Sequence, residues 1–569
     1  MRKIIAITIT IVLTMTQQGL CLRPPSFLDS DKIIKELDSS NRISIRSILK
    51  QFAYNPPITM PDSMKKDYYS PEIARLLVLI LFNVLEKYTY QLPLDIFGKP
   101  KVLKQIKSIL DESVIPLIPK SKYGLDDPIV SFVDILQGKG KVLIGDRALT
   151  LPEISGSYDL NAYERNAIIN SIDFTTVIMA HNIFRLENII DAADVCGALT
   201  FEALQGKAVE LDMALHDKAR PHAGQVITAS NMRILTKGST LVQNPEDISN
   251  IVQDAYSLRG IPQIHGATRD AIIYATNLLD EALNSPPRKI LSKKAISQAL
   301  SADLLRVAVS ELADVSERRI NRLINPVLNS GLTSFLIDKK AALAGLNSSF
   351  MIPQYAAASI VNMLKTLAHP TGLLTQPAEC LSCQQLSDSI DLVGDVLAIE
   401  LMNAAQAVDL RLDIIKAGLG QGSKKAYDLV RSEVKHLEED RILHDDVLKI
   451  KNQIENGEYS EVLRILQKRE QETTPYPYRT QLQSSSAPRQ IVSLNGSAVL
   501  LEDIRDVAER NASVSIPKEA YVKINESRRV VEKIIEAKKA VYGITTGFGP
   551  YANIFVSPGA AEQLQVNLI

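Results

Sequence analysis

Few residues in this sequence are spaced for chemistry on their own account. Cys380-Leu-Ser-Cys383 is a C-x-x-C pair, the spacing at which two thiolates share a metal ion or a disulfide. A structural zinc site needs a second pair, and no second pair stands at a recognisable distance in the chain. Gly418-Leu-Gly-Gln-Gly422 is rich in glycine. No strand pattern precedes it, and its spacing differs from that of a phosphate-cradling loop. The basic residues between 424 and 442 alternate with Glu and Asp, which describes a solvated helical face rather than a nucleic-acid patch.

The elements that would position a site come from the wider pattern. The chain has 569 residues, 46% apolar and 23% charged, so a sizeable core is available. A formal net charge of −1, no Trp and 5% aromatics argue against an electrostatic or stacking surface for nucleic acid. Four cysteines do not make a disulfide framework. Arg2-Lys3, the apolar run Ile4 to Met15 and the small-residue site around Gly19 to Cys21 have the pattern of a secretory signal peptide over 1–21. Secretion is then the expected location, and the cytoplasm the alternative if the start is misassigned. Sequons at Asn347, Asn495, Asn511 and Asn525 fit secretion, although such short patterns also arise by chance. No later stretch has the pattern of a membrane span.

Residues 22–66 are polar and proline-containing, and an irregular leader is expected there. Helical patterns follow at Ala74 to Leu85, Val102 to Val114, Ala167 to Leu204, Leu300 to Leu323, Leu392 to Ile415 and Val434 to Arg469. Residues 120–160 are irregular, with a strand-like piece at Lys141 to Ile144. Residues 471–488 have a linker composition, and a last module covers 489–569. The fold class is mainly α, with a small mixed α/β portion.

Longer motifs carry a resemblance. Val541-Tyr-Gly-Ile-Thr-Thr-Gly-Phe-Gly549 resembles the Tyr loop of the histidine and aromatic amino acid ammonia-lyases, and Gln563 to Ile569 matches the helix after it. Leu494-Asn-Gly-Ser and Leu501-Glu-Asp-Ile match the segment before it. Over 67–470 the matches are Ala219-Arg-Pro-His-Ala-Gly-Gln225, Val252-Gln-Asp-Ala-Tyr-Ser-Leu-Arg259, Pro262-Gln-Ile-His-Gly266, Ser316-Glu-Arg-Arg319, Gly345-Leu-Asn-Ser348, Phe350-Met-Ile352 and Val396-Leu-Ala-Ile-Glu400. The resemblance implies a large central helical bundle of the fumarase/aspartase-like type, a tetramer, and the conversion of L-histidine to urocanate and ammonia. The order differs from the family's, whose Tyr-loop module comes first. A circular permutation and a join between tandem gene copies both explain this. The stop inside a helix after a linker makes the join the expectation.

That reaction removes a poorly acidic β-proton and a poor leaving group, so it needs a base and an electrophile. By resemblance Tyr542 is the base, Tyr256 assists at the amine or the cofactor, and Arg259 clamps the substrate carboxylate through a bidentate pair. An Arg retained for subunit packing, and buried tyrosines satisfied by hydrogen bonds, are the alternatives. Gln253 and Asn170 match residues lining the pocket, though Ser171-Ile172 follows Asn170 where the family has Gly-Thr. His222 and His265 are expected to be structural.

The family builds its electrophile, a methylidene-imidazolone, by cyclising Ala-Ser-Gly. Gly124-Leu125-Asp126 stands at that place, and Leu125 has no hydroxyl to eliminate. Asp126 puts a side chain where ring closure uses the bare Gly. No cofactor is therefore expected. An Asp-Asn-Pro turn, a Gly-Asn-Phe-His loop and a Glu-Asp-His stretch of the family are also not matched. Three functions stay open: an active histidine ammonia-lyase, a non-catalytic protein that binds a histidine-like amino acid or joins active paralogues, and a fused tandem-gene product.

Overall fold

In the computed structural model the described residues are 43–53, 60–88, 106, 109, 114–120, 127–153, 160–169, 171–243, 253–284, 296–341, 344–371, 378–471, 491–494, 507, 512–537, 541, 544–546, 554–557 and 559–560. The signal peptide, the linker over 472–488, most of Val102 to Val114, the segment 121–126, Asn170, Tyr542 and residues 563–569 lie outside them. In chain order the helices are α1 (Ile45–Ala53), α2 (Asp62–Lys65), α3 (Pro71–Tyr88), α4 (Pro128–Leu136), α5 (Ala162–Ile169), α6 (Phe174–Ala203), α7 (Ala223–Leu235) and α8 (Tyr256–Arg259). They continue as α9 (Ile261–Leu283), α10 (Ile296–Ile324), α11 (Met351–Leu367), α12 (Ala378–Ile414), α13 (Gln421–Glu433), α14 (His444–Glu455), α15 (Glu458–Gln471) and α16 (Lys518–Glu536). The strands are β1 (Ile115–Pro116), β2 (Lys141–Ile144), β3 (Arg147–Thr150), β4 (Ile491–Ser493) and β5 (Ser513–Ser515). Helices dominate, and the fold class is mainly α with a large helical bundle.

The chain divides into two compact units. The first comprises residues up to Arg185, Ile272–Leu305 and His369–Asp388. Within it α3 opens with Pro71 at its first position, where a missing N–H costs nothing, and it buries Ala74, Leu76, Leu77, Ile80 and Leu81. Pro128 does the same for α4, and the Asp127 carboxylate caps that helix by accepting the Ile129 N–H at 2.9 Å. A reciprocal capping box starts α5: Glu164 N–H donates to Asn161 Oδ1, and Asn161 N–H to Glu164 Oε2, each at 2.9 Å. The small sheet runs β1-β2-β3, antiparallel, with Ile144 opposite Arg147 across a hairpin turned by Gly145 at φ +56°.

Three sequence expectations change in this unit. Residues 45–53 are helical rather than irregular, because Ile45, Ile48 and Leu49 fall on one buried face. Asp280 Oδ1 accepts the Ile45 N–H at 2.6 Å, and Asn284 exchanges hydrogen bonds with Ile43. Residues 128–136 form α4 within a stretch whose Gly and Pro content suggests loop. The apolar run 167–204 is two helices, since the Asp173 side chain takes the Thr175 N–H at 3.0 Å and starts α6 afresh.

The second unit comprises Leu186–Ala271, Arg306–Ala368 and Ser389–Ile569. Its core draws on the long helices α6, α9, α10 and α12, whose contacting positions are rich in Ala: Ala192, Ala193, Ala198, Ala313, Ala404, Ala405 and Ala407 are all buried. Close approach is explicit where α7 meets α9. A Cβ on Gly266 would lie 2.5 Å from both the N and Cα of Gln225. The charged stretch 434–469 resolves into α14 and α15, divided by Gly457 at φ +74°. In the last module β4 and β5 pair in parallel, and α16 buries only Ala520 while Tyr521, Val522, Ile524 and Val530 are exposed.

Candidate functional site

Helix α8 is a single turn that feeds directly into α9. Gly260 makes the junction: its N–H donates to Tyr256 O at 2.8 Å, and a Cβ there would sit 2.7 Å from that same oxygen. The approach to α8 is held by Asp254, which accepts the Lys207 N–H at 2.8 Å and has the Lys207 ammonium at 4.0 Å. Arg259 thus projects from a turn fixed at both ends. Its guanidinium carbon lies 5.7 Å from the centre of the Tyr256 ring, within cation–π reach. Its Nε is buried and, among the described residues, has no acceptor. Among the described residues the buried Gln263 Oε1 and Arg322 Nε are likewise without partners.

Charges gather around this turn. Asp254 acts electrostatically on both Arg322 and Glu210, and Glu210 also feels Arg259 and Lys207. Burial, with the Asp254 carboxylate adding to it, pushes Glu210 above the usual carboxylate range. A planar guanidinium with an unsatisfied, water-excluded N–H is suited to an incoming carboxylate, which supplies two acceptors in matching geometry.

Beneath the turn lies a buried polar network. The Asp194 carboxylate accepts from His265 Nδ1 at 2.8 Å, Arg269 Nη2 at 2.6 Å and Asn231 Nδ2 at 2.8 Å. Burial works to raise Asp194, but Arg269 and His265 outweigh it and hold the carboxyl below its ordinary value. Burial lowers His265 below its ordinary value, with the neighbouring Asp194 opposing. Its Nδ1–H faces Asp194, and its Nε2 faces Arg319 Nη1 at 3.3 Å. Arg319 makes a two-pronged pair with Glu400, at 2.6 and 2.8 Å, and Glu400 also accepts from Thr200 and Ser316. The network fixes α9, and with it the start at which Arg259 stands.

The expected residues separate clearly. Arg259 and Tyr256 come together, but Tyr256 is 62% exposed and is not the buried, hydrogen-bonded tyrosine of the alternative reading. Gln253 is also exposed, three residues before Tyr256. Tyr542 and Asn170 lie outside the described residues. His265 is fully buried and bonded to Asp194, whereas His222 is exposed and its side chain does not cap α7. Cys383 is buried on α12, and among the described residues no group of three or more His, Cys, Asp or Glu is arranged to hold a metal ion. Among those residues no helix is long and apolar enough to cross a membrane. Sequence reasoning misses Lys207, Glu210 and Arg322, which are scattered along the chain with no periodic signal, and it passes over Asp254 inside the quoted motif Val252 to Arg259. The Arg319–Glu400 pair had a signal, since both residues sit in motifs quoted above.

Comparison with known proteins identifies the family. The family model described as aromatic amino acid lyase matches residues 98–432 and 499–569. Histidine ammonia-lyase of Alkaliphilus metalliredigens is 37% identical over 408 residues, covering 66% of this chain and 77% of that protein. That of Treponema denticola is 36% identical over 391 residues, covering 63% and 75%. Among solved structures, histidine ammonia-lyase from Trypanosoma cruzi matches with a TM-score of 0.60 and 25% identity, covering 77% of this chain and 86% of that one. Tyrosine aminomutase from Streptomyces globisporus matches with a TM-score of 0.61 and 27% identity, covering 75% and 86%. The chain thus belongs to the aromatic amino acid lyase family and is histidine ammonia-lyase-like.

Proposed function

We propose that this protein binds a histidine-like amino acid through Arg259 and does not turn it over. The observation that carries the reading is the buried, acceptor-less Nε of Arg259 beside Tyr256, set against Leu125 at the place of the cofactor-forming serine. The residues between Lys120 and Asp127 do not fit the methylidene-imidazolone. Leu125 offers no hydroxyl to eliminate, and Lys122 rather than Gly follows Ser121. The segment is short and bounded: Lys120 N–H donates to Asp67 O at 2.8 Å, and Asp127 already caps α4. A clamp without an electrophile is a binding site.

The test is thermal unfolding of the whole chain with and without L-histidine, alongside an ultraviolet assay for urocanate. L-Histidine should raise the melting temperature of the wild type, because a ligand that binds only the folded state stabilises it. Arg259→Ala should abolish the rise. Arg259→Lys should restore little of it, since an ammonium lacks the planar fork. Formation of urocanate would overturn the non-catalytic reading.

A second reading is favoured by the exposed apolar residues of α16. On it, the last module serves another lyase body, either a neighbouring or paralogous subunit or the next copy in a tandem array. Reading the transcript as single molecules through both ends of the coding region separates these. Continuation into a Ser-His segment and an Ala-Ser-Gly triad supports the tandem array, and its absence supports the subunit.

A further inference from the structure

Away from that site, one histidine is held in an arrangement that needs its second proton. His436 follows α13, and both its ring nitrogens face carboxylates: Nδ1 is 2.6 Å from Asp409 Oδ2 on α12, and Nε2 is 2.6 Å from Asp338 Oδ2. Two acceptors at this distance require two N–H donors, which only the imidazolium has. Asp409 has further donors, Arg431 Nη2 at 2.6 Å and the Tyr427 hydroxyl. Among the described residues the Asp338 carboxylate has, besides His436, only the Lys340 backbone N–H at 2.7 Å.

Asp338 lies in a segment under backbone strain. Phe335 (φ +53°) and Leu336 (φ +59°) adopt the left-handed region that side chains disfavour, and Ser330 (φ +60°) precedes them. Arg411 anchors the start of the segment, donating to the carbonyls of Asn329 and Ser330 at 2.9 Å. His436 anchors its middle. A donor that can exchange partners stands beside it: the buried Gln406 Nε2 donates to the Leu437 carbonyl at 2.9 Å and to the Leu336 carbonyl of the segment at 3.4 Å, and lies 3.2 Å from His436 Nε2.

We propose that the Asp338–His436–Asp409 bridge is a pH-operated latch, in which loss of the His436 Nε2 proton to solvent releases Asp338 and lets Thr333–Ala341 leave α12. When Nε2 becomes a lone pair it repels Asp338, while the Gln406 amide donates to it and Nδ1–H stays on Asp409. Strain in Phe335 and Leu336 then favours departure. The charges facing His436 are Asp409 on α12, Arg431 and Tyr427 on α13, and Asp338 with the nearby Lys340 in the segment itself. The hydrogen bond to Asp409 is the largest influence raising His436 above its ordinary 6.5, with Asp338 adding to it and burial opposing. A raised folded value means that the latch is fully closed below 6.5 and is lost as pH climbs through the folded value.

The experiment is hydrogen–deuterium exchange by mass spectrometry on the full chain from below to well above that range, expressed as protection factors so that the intrinsic pH dependence cancels. Peptides over 333–341 should lose protection as pH rises, by up to about tenfold for each unit by which folding raises the His436 value. Peptides from α9 should not change in that interval and serve as the folding control. His436→Gln and Asp338→Asn should both show low protection over 333–341 at every pH, without a step. A wild type flat across the range overturns the proposal, as does a step of wild-type size in either variant. Should His436→Gln fail the α9 control, Asp338→Asn and the wild-type profile decide.

Discussion

At the level of single residues, the strongest constraints are buried ions that have found partners. The side chains of Arg319 and Glu400 are both fully buried and bonded to each other through two nitrogens and two oxygens. Removing one member strands the other in a medium that cannot solvate it. Glu400→Gln or Arg319→Met should therefore cost about 3–5 kcal/mol in urea unfolding. The double replacement Arg319→Met with Glu400→Leu should recover most of that loss, because neither charge remains to be desolvated. Equal destabilisation by the single and double variants would show that shape, not charge, is what the pair supplies. The same network sets an acid limit. Asp194 is held below its ordinary value, so its contribution is present above the unfolded value and is lost as pH falls through the folded one. His265 is also lowered, and it opposes folding once pH falls below its ordinary 6.5. Both signs agree, so stability measured by chemical denaturation should decline from neutrality toward acid, and Asp194→Asn should flatten the lower part of that decline.

Elements add a constraint that side-chain chemistry does not show. Helices α7 and α9 cross at Gly224 and Gly266, with the Gly224 N–H donating to Asp270 Oδ1 at 2.7 Å. Gly266→Ala places a methyl against backbone atoms that cannot swing aside. The cost should be about 1–3 kcal/mol or somewhat more, visible as a lower melting temperature. Because α9 also carries the junction to Arg259, any stabilisation by L-histidine should weaken in the same variant. If stability falls while the ligand effect is unchanged, α9 does not transmit position to Arg259. These glycines show how far sequence reading reaches. Apolar periodicity places α3, α10 and α12 to within a few residues at most ends, since each is a long amphipathic or buried run. It joins α5 and α6 because the break between them, Asn170 to Asp173, is only four residues long and is itself interrupted by the apolar Ile172. It passes over α1, which is too short for its buried face of Ile45, Ile48 and Leu49 to stand out. The Gly224–Gly266 crossing is visible in the sequence only as two matched motifs, Ala219 to Gln225 and Pro262 to Gly266, whose contact no periodicity encodes.

For the whole molecule, the question is what the last module is for. A helix that packs within its own chain hides an apolar stripe. Helix α16 instead leaves Tyr521, Val522, Ile524 and Val530 about half exposed, and hides only Ala520. Exposed positions contribute little to the stability of the chain that carries them, usually within about 0.5 kcal/mol on substitution. Val522→Asp with Ile524→Lys should therefore leave the unfolding midpoint unchanged. If α16 seats on a second lyase body, as the second reading holds, the same pair should put charges into that contact and lower the assembled mass seen by light scattering. The two measurements must be made on the same preparation, because together they separate three situations. An unchanged midpoint with a lower mass assigns α16 to an intermolecular contact. A lowered midpoint means that α16 is part of this chain's own core. An unchanged midpoint with an unchanged mass removes the reason for thinking that the module serves another body, and leaves Arg259 and its turn as the part of the lyase scaffold with a testable function.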